Sequence, residues 1–194
     1  LIRFEDGELC YITRRIDRTN EGGKLAMEDM CQLSEKLTEQ KYKGSYEQIA
    51  KLVLRYSSAP KLDLVNFWEQ VVFSWITGNA DMHLKNFSLI ENMPGSRIFQ
   101  LSKAYDMLPV NVIMPEDKEQ MALTINGKKR NIHKKEFKIL AEVCDIPANA
   151  AEKMIEKLCV LENKMLSLVD ESYLPQAQRD ELKTLIRDRV AILL

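Results

Sequence analysis

Residues 61–77 constrain this chain more than any other stretch. Leu62, Leu64, Val65, Phe67, Trp68, Val71, Val72, Phe73, Trp75 and Ile76 leave almost no polar face. A helix that is apolar nearly all round must be buried at the centre of its domain. Each side chain of this kind contributes about 1.5–3 kcal/mol when buried. Ser57-Ser58-Ala59-Pro60 separates it from the preceding element, because proline cannot continue a helix. It ends at Gly78, where Gly78-Asn79-Ala80-Asp81-Met82-His83-Leu84-Lys85-Asn86-Phe87-Ser88 follows. Five polar residues thus sit at the tip of a stiff apolar post, a support that gives a site its precision.

The elements around the post predict a mainly α fold with a small β part (α+β). Residues 1–16 read as a β-hairpin: Ile2 and Phe4 lead into an Asp6-Gly7 turn, and Leu9 to Thr13 forms the return strand. A hairpin alone is marginal in water, so this one is expected to belong to a larger sheet. Thr19 to Gly23 is a loop, and Lys24 to Glu35 reads as a helix around Leu25, Met27, Met30 and Leu33. Ser45, with Gln48 three residues on, predicts a capped helix running to about Tyr56. Phe87–Ile90 and Arg97–Leu101, joined by Asn92-Met93-Pro94-Gly95, form a second small hairpin. Residues 107–132 are irregular and carry an Asn126-Gly127 turn. From His133 the pattern is helical: one helix through Cys144, one from Ala148 to about Val169, and a last one opened by Pro175.

The net charge of −1 gives no global field toward nucleic acid or an anionic membrane. Cys10, Cys31, Cys144 and Cys159 form no C-x-x-C pair, so zinc is not expected and free thiols in a reducing cytoplasm are. No run of about 18 apolar residues offers a membrane span. The sequence opens at Leu1, directly in strand-like residues, and reads as a C-terminal fragment of a longer protein.

Asp81 and Asn86 stand five residues apart, the spacing of Asp and Asn in the protein-kinase loop H-R-D-x-x-x-x-N. After the second hairpin, Ala104-Tyr105-Asp106 returns a further acid toward the same place. Phosphoryl transfer needs an acceptor hydroxyl held in line and cations on the phosphate oxygens. Asp81 can orient that hydroxyl and take its proton. Asn86 and Asp106 suit Mg²⁺, a hard ion that prefers oxygen donors. Lys85 can bring positive charge toward the transferred group, and His83 can bond phosphate or steady Asp81. D-x-x-x-x-N also recurs by chance, and each residue alone reads as an ordinary turn or surface residue.

The G-N-A-D-M-H-L-K-N-F-S stretch with A-Y-D downstream resembles the signature of HipA-type serine/threonine kinases, the toxins of HipBA-like toxin–antitoxin systems. Arg14-Arg15-Ile16-Asp17-Arg18 resembles the hinge of that family, and Met27-Glu28-Asp29-Met30-Cys31-Gln32 a family helix start. The resemblance implies a protein-kinase-like helical C-lobe over 24–194, with catalytic loop 78–88 and metal-binding 104–106, in one domain with the last N-lobe hairpin and hinge at 1–18. It makes Asp81 the base, puts Asn86 and Asp106 on Mg²⁺, and brings His83 near the phosphates of ATP. It sets the backbone of Arg14 and Ile16 against adenine and Asp17 beside the ribose, with Gln32 and Tyr105 in the nucleotide pocket. It further implies a cytoplasmic bacterial protein whose substrate is a protein, aminoacyl-tRNA synthetases among them. Its partner would be a helix-turn-helix antitoxin that links it to DNA only indirectly. Two departures stand out: Ile16 replaces the hinge aromatic, and no glycine-rich phosphate loop or N-lobe lysine is present. The fragment alone is therefore expected to be nearly inactive. The rival readings are a non-catalytic kinase-like module that docks an antitoxin or a separate N-lobe, and a metal-dependent phosphohydrolase built on Asp81, His83 and Asp106. Direct DNA binding has no support in the charge pattern.

Overall fold

The structure is a computed structural model that describes residues 2–194. Two-residue strands β1 (Ile2–Arg3) and β2 (Leu9–Cys10) pair antiparallel, with Ile2 opposite Cys10. Gly7, at φ +90°, closes the turn between them. The return strand stops at Cys10 rather than Thr13. Tyr11 and Ile12 find no partner strand among the described residues and lie exposed.

The helix expected over Lys24–Glu35 is mostly not one. Met27–Asp29 is a strand, β3, and only Met30–Leu33 turns helical, as α1. The apolar spacing that suggested a helix is overridden by a partner far along the chain, strand β4 (Ser88–Glu91), which β3 meets antiparallel as Met27↔Ile90 and Asp29↔Ser88. Asp29 then starts α1: its side chain accepts from the Gln32 amide, and Gln32 Oε1 accepts from the Asp29 amide in return. Strand β5 (Phe99–Leu101) lies on the other side of β4, so the expected hairpin is the outer part of a three-stranded sheet in the order β3-β4-β5.

Ser45 caps α2 (Tyr46–Tyr56) by accepting from the Gln48 amide at 3.2 Å. The post itself is α3 (Pro60–Ile76), with Pro60 at its first turn. Leu64, Phe67, Trp68, Val71, Val72, Trp75 and Ile76 are buried, while Leu62 at its start faces water. α3 packs against α2 and β5 and, on its other sides, against α5 (Lys134–Val143), α6 (Ala148–Val160) and α8 (Gln176–Leu193). Trp68 Nε1 donates to the Phe137 carbonyl at 2.8 Å, which locks α3 to α5.

A short turn of helix, α4 (Val110–Ile113), interrupts the irregular 107–132 segment. The Asn126-Gly127 pair has positive φ at both residues, the signature of a type I′ turn, and Ile125 and Lys128 exchange backbone bonds across it. Lys128 and Lys129 pair with Glu136 and Glu119, so two cations of the Lys128-Lys129-Arg130 cluster are used within the fold. The long helix expected from Ala148 breaks at Leu161, and α7 (Glu162–Asp170) follows in a new direction. No glycine or proline marks the break. It lets α6 stay on α5 while α7 lies along α8. No helix among the described residues is long and apolar enough to cross a membrane.

Candidate active site

The site begins where α3 stops. Gly78 takes φ +79°, and α8 comes so close that a Cβ there would stand 3.3 Å from Leu185 Cδ2. Arg189 of α8 is buried, donates to the Trp75 carbonyl, and reaches Asn111 Oδ1 at 2.7 Å. The cation adds a second donor to a carbonyl at the end of α3 that the Gly78 amide also bonds, and its charge suits the helix dipole. Burial drops the Arg189 pKa to about 10, still charged at neutral pH.

Asn79 is buried and links the two loops. Its Nδ2 donates to the Asp106 carbonyl at 3.1 Å, and its Oδ1 accepts from the Asp81 amide at 3.3 Å. Asn86 makes the second link: its Nδ2 donates to the Asp81 carbonyl at 3.0 Å and to Asp106 Oδ2 at 3.2 Å. Asp81, Asn86 and Asp106 therefore converge, although 20 residues and a hairpin separate Asn86 from Asp106. Asp106 sits at φ +56°, a left-handed conformation that few residues adopt and that often marks functional turns.

His83 is 5% exposed, and burial pushes its pKa below the usual range, with Asp81 pulling the other way. The ring is thus neutral at pH 7. Its Nε2 lies 3.9 Å from Asp81 Oδ2, too far for a hydrogen bond, and its buried Nδ1 has no partner among the described residues. Lys85 turns away from this pair and meets Asp29 Oδ2 at 3.1 Å. Tyr105 lies between the loops. Its hydroxyl donates to the Lys85 carbonyl at 2.7 Å and stands 2.5 Å from Ser88 Oγ, and burial raises its pKa to about 12.

A cleft of about 460 Å³ opens beside these loops, lined by Asp17, Asp29, Gln32, Lys85 and Tyr105 among others. Asp17 is held in it by Arg15, whose guanidinium grips both carboxylate oxygens at 2.7 and 2.6 Å and lowers the Asp17 pKa to about 2. Arg14 and Ile16 line a neighbouring hollow of about 510 Å³ against β4 and β5 instead. Apart from His83, which lines neither, the residues expected around a nucleotide are divided between two adjoining cavities, with Arg15 on the wall of both. The Gln32 side-chain oxygen is committed to the start of α1.

For a cation, the donor set fits one ion class. No three Asp, Glu, His or Cys groups converge among the described residues, so Asp81, His83 and Asp106 do not assemble the trio a phosphohydrolase needs. One carboxylate, Asp106, and the amide oxygen of Asn86, whose nitrogen is already used twice, would suit a Mg²⁺ that draws its other donors from water and phosphate.

Three residues have a role here that the sequence reading did not assign: Asn79, noted only as one of the five polar residues, is the bridge, Asp29 is the Lys85 partner, and Tyr42 is the third. The Tyr42 hydroxyl donates to Asp81 Oδ1 at 2.8 Å from a loop 39 residues upstream. Asn79 could have been suspected from its place between Gly78 and Asp81. Nothing in local spacing points to Tyr42.

Residues 1–165 match the model of the HipA-like C-terminal domain. The chain belongs to this family. Among curated proteins, this HipA-like chain is 35% identical over 145 residues to "Putative kinase Y4dM" of Sinorhizobium fredii, covering 73% of the chain and 33% of that protein. It is 29% identical over 135 residues to "Putative kinase Y4mE" of the same organism, covering 66% and 31%. The chain therefore spans about a third of the length of these relatives. Among solved structures, HipA of Shewanella oneidensis, in a toxin–antitoxin complex with HipB and operator DNA, superposes with a TM-score of 0.73. That match has 18% identity over 91% of this chain and 46% of the other. The proinflammatory kinase CtkA of Helicobacter pylori gives 0.60 at 16% identity, covering 88% and 66%. The fold is thus the α+β, kinase-like C-lobe that these proteins share.

Proposed function

We propose that this HipA-like domain is the catalytic lobe of a protein kinase that transfers the γ-phosphoryl group of Mg-ATP to a serine or threonine hydroxyl. The observation that carries the reading is the Asn86 side chain, which joins the Asp81 loop to the Asp106 carboxylate. That link supports reading Asp81 as the base beside two donors for magnesium, Asn86 and Asp106. Asp81 orients the acceptor hydroxyl and receives its proton. Asn86 and Asp106 would hold the ion, whose chemistry is to neutralise charge on the phosphate oxygens. The neutral His83 ring keeps Nε2, which makes no hydrogen bond to Asp81 Oδ2 3.9 Å away, for a phosphate or a water. Asp17, Gln32 and Tyr105 line the cleft expected to take the nucleoside, and Lys85 supplies its positive charge there, already balanced by Asp29.

The relatives' names and the HipA–HipB–DNA assembly support a wider role. In it, the full protein acts in the bacterial cytoplasm on a protein substrate such as an aminoacyl-tRNA synthetase. A helix-turn-helix antitoxin restrains it and connects it to DNA. The chain spans about a third of the length of its relatives, and on this reading the lobe by itself is expected to transfer phosphate poorly.

The test uses the natural full-length polypeptide containing these residues, labelled Mg-ATP and a serine- and threonine-bearing peptide library. Asp81→Asn is expected to lose roughly 100-fold or more in kcat, the scale of a lost general base, while calorimetry shows ATP still bound. Chelating Mg²⁺ is expected to abolish tight nucleotide binding. Equal transfer by Asp81→Asn and the native protein would remove Asp81 from the chemistry.

A further inference from the structure

The Asp81 loop is gripped by a segment that the kinase reading leaves unused. Residues 37–46, between α1 and α2, touch it three times. The Lys41 carbonyl accepts from the Leu84 amide at 3.2 Å. The buried Tyr46 hydroxyl donates to the Met82 carbonyl at 3.0 Å. Between them the Tyr42 hydroxyl donates to Asp81 Oδ1 at 2.8 Å. The segment is thus tied to the loop by the Lys41 carbonyl before Tyr42 and by the Tyr46 hydroxyl after it.

Tyr42 itself is held from two directions. Its ring stands edge-on to His83, with centroids 5.1 Å apart, and Lys41 Nζ lies 4.9 Å from the ring centre. Partial burial and the Asp81 carboxylate raise its pKa to about 12, so the phenol keeps its proton and acts as a donor. With Oδ1 occupied, Asp81 has Oδ2 left. That oxygen faces His83 Nε2 across 3.9 Å, a gap that no hydrogen bond spans.

We infer that Tyr42 is a positioning residue for phosphoryl transfer: its hydroxyl ties down Asp81 Oδ1 and leaves Oδ2 as the oxygen that meets the acceptor hydroxyl. The inference rests on the reading of Asp81 as the base. In the step, the acceptor oxygen forms a bond to the γ-phosphorus, and the bond from that phosphorus to the bridging oxygen breaks. ADP leaves with the electron pair, and the acceptor's proton passes to Asp81 Oδ2. Tyr42 exchanges no proton. It restricts a half-exposed carboxylate whose terminal torsion is otherwise broad, and orientation of this kind is a large part of what such a site supplies.

Tyr42→Phe in the natural full-length polypeptide removes the hydroxyl and keeps the ring against His83. With labelled Mg-ATP and the peptide library, kcat is expected to fall about tenfold, the scale of one hydrogen bond to a charged group. KM for Mg-ATP should stay at its native value, and the melting temperature should fall by no more than one part-exposed hydrogen bond accounts for. A tyrosine that merely packs would raise KM or lower kcat only in proportion to unfolded protein, and either outcome overturns the proposal. So does a kcat equal to or above native, while the kinase reading then survives. If the native protein binds Mg-ATP and transfers no phosphate, the kinase reading itself fails and Tyr42 loses its role with it.

Discussion

At the scale of single residues, the site depends on amides more than on charges. Asn79 contributes neither acid nor base, yet it fixes the Asp106 carbonyl and the Asp81 amide from one buried position. Asn79→Ala removes the partner of the Asp106 carbonyl and the Asp81 amide, both within reach of water, at a cost of about 1 kcal/mol. Urea unfolding should show that loss, and Mg-ATP affinity should fall with it because Asp106 is no longer anchored. Asp17 behaves differently. Its pKa in the fold, about 2, lies below the roughly 3.9 of an unfolded aspartate. The Arg15 contact therefore stabilises the fold fully above about pH 4, and that contribution is lost as the pH falls through 2. Arg15→Gln should return the Asp17 carboxyl to the ordinary range, which a carboxyl-carbon NMR titration would record; an unchanged midpoint would mean that Arg15 is not the cause. Asp81, His83 and Asn86 were legible in the sequence because polar residues interrupting an apolar run are conspicuous, and Asp106 because it is an acid that directly follows a strand-like segment. Tyr42 was not, because a contact 39 residues long has no local period.

At the scale of elements, the same contrast recurs. α3 could be read from residues 61–77 alone, since its apolar surround, its proline and its glycine are all local. β3 could not, because Met27, Met30 and Leu33 fit a helix as well as they fit the strand and turn that form. Only β4, some 60 residues on, decides between them. The break at Leu161 was hidden for a related reason: α8 makes a separate α7 favourable, and no residue at the break announces it. The junction of α3 with the site loop carries its own prediction. Gly78→Ala must hold a side chain at φ +79° and press it toward Leu185. A loss of about 1–2 kcal/mol is expected from the backbone conformation alone. Leu185→Ala in the same chain relieves the contact but not the φ, so thermal unfolding of the double variant separates the two costs: full recovery would show that packing, rather than conformation, makes Gly78 necessary.

At the scale of the whole molecule, cohesion is uneven. α3 is surrounded by other elements, whereas β1 and β2 pair only with each other and leave Ile2, Phe4, Leu9, Tyr11 and Ile12 exposed. A two-stranded hairpin without a covered face has little of its own to keep its amides closed. Opening it costs far less than opening the core, and hydrogen exchange reads that difference directly. Peptides covering residues 2–12 should exchange within seconds, while those from α3 should need global unfolding. The two regimes should respond separately to change. Phe137→Ala, which removes an aromatic packed on Trp75 and costs about 3–5 kcal/mol, should accelerate exchange in α3 and leave the hairpin as it was. If residues 2–12 instead exchange as slowly as α3, or slow and quicken together with it, the hairpin is part of the cooperative core. Its exposed apolar residues would then need no further strand to cover them, and the two-lobed arrangement that the kinase reading expects around this lobe would lose its physical motive.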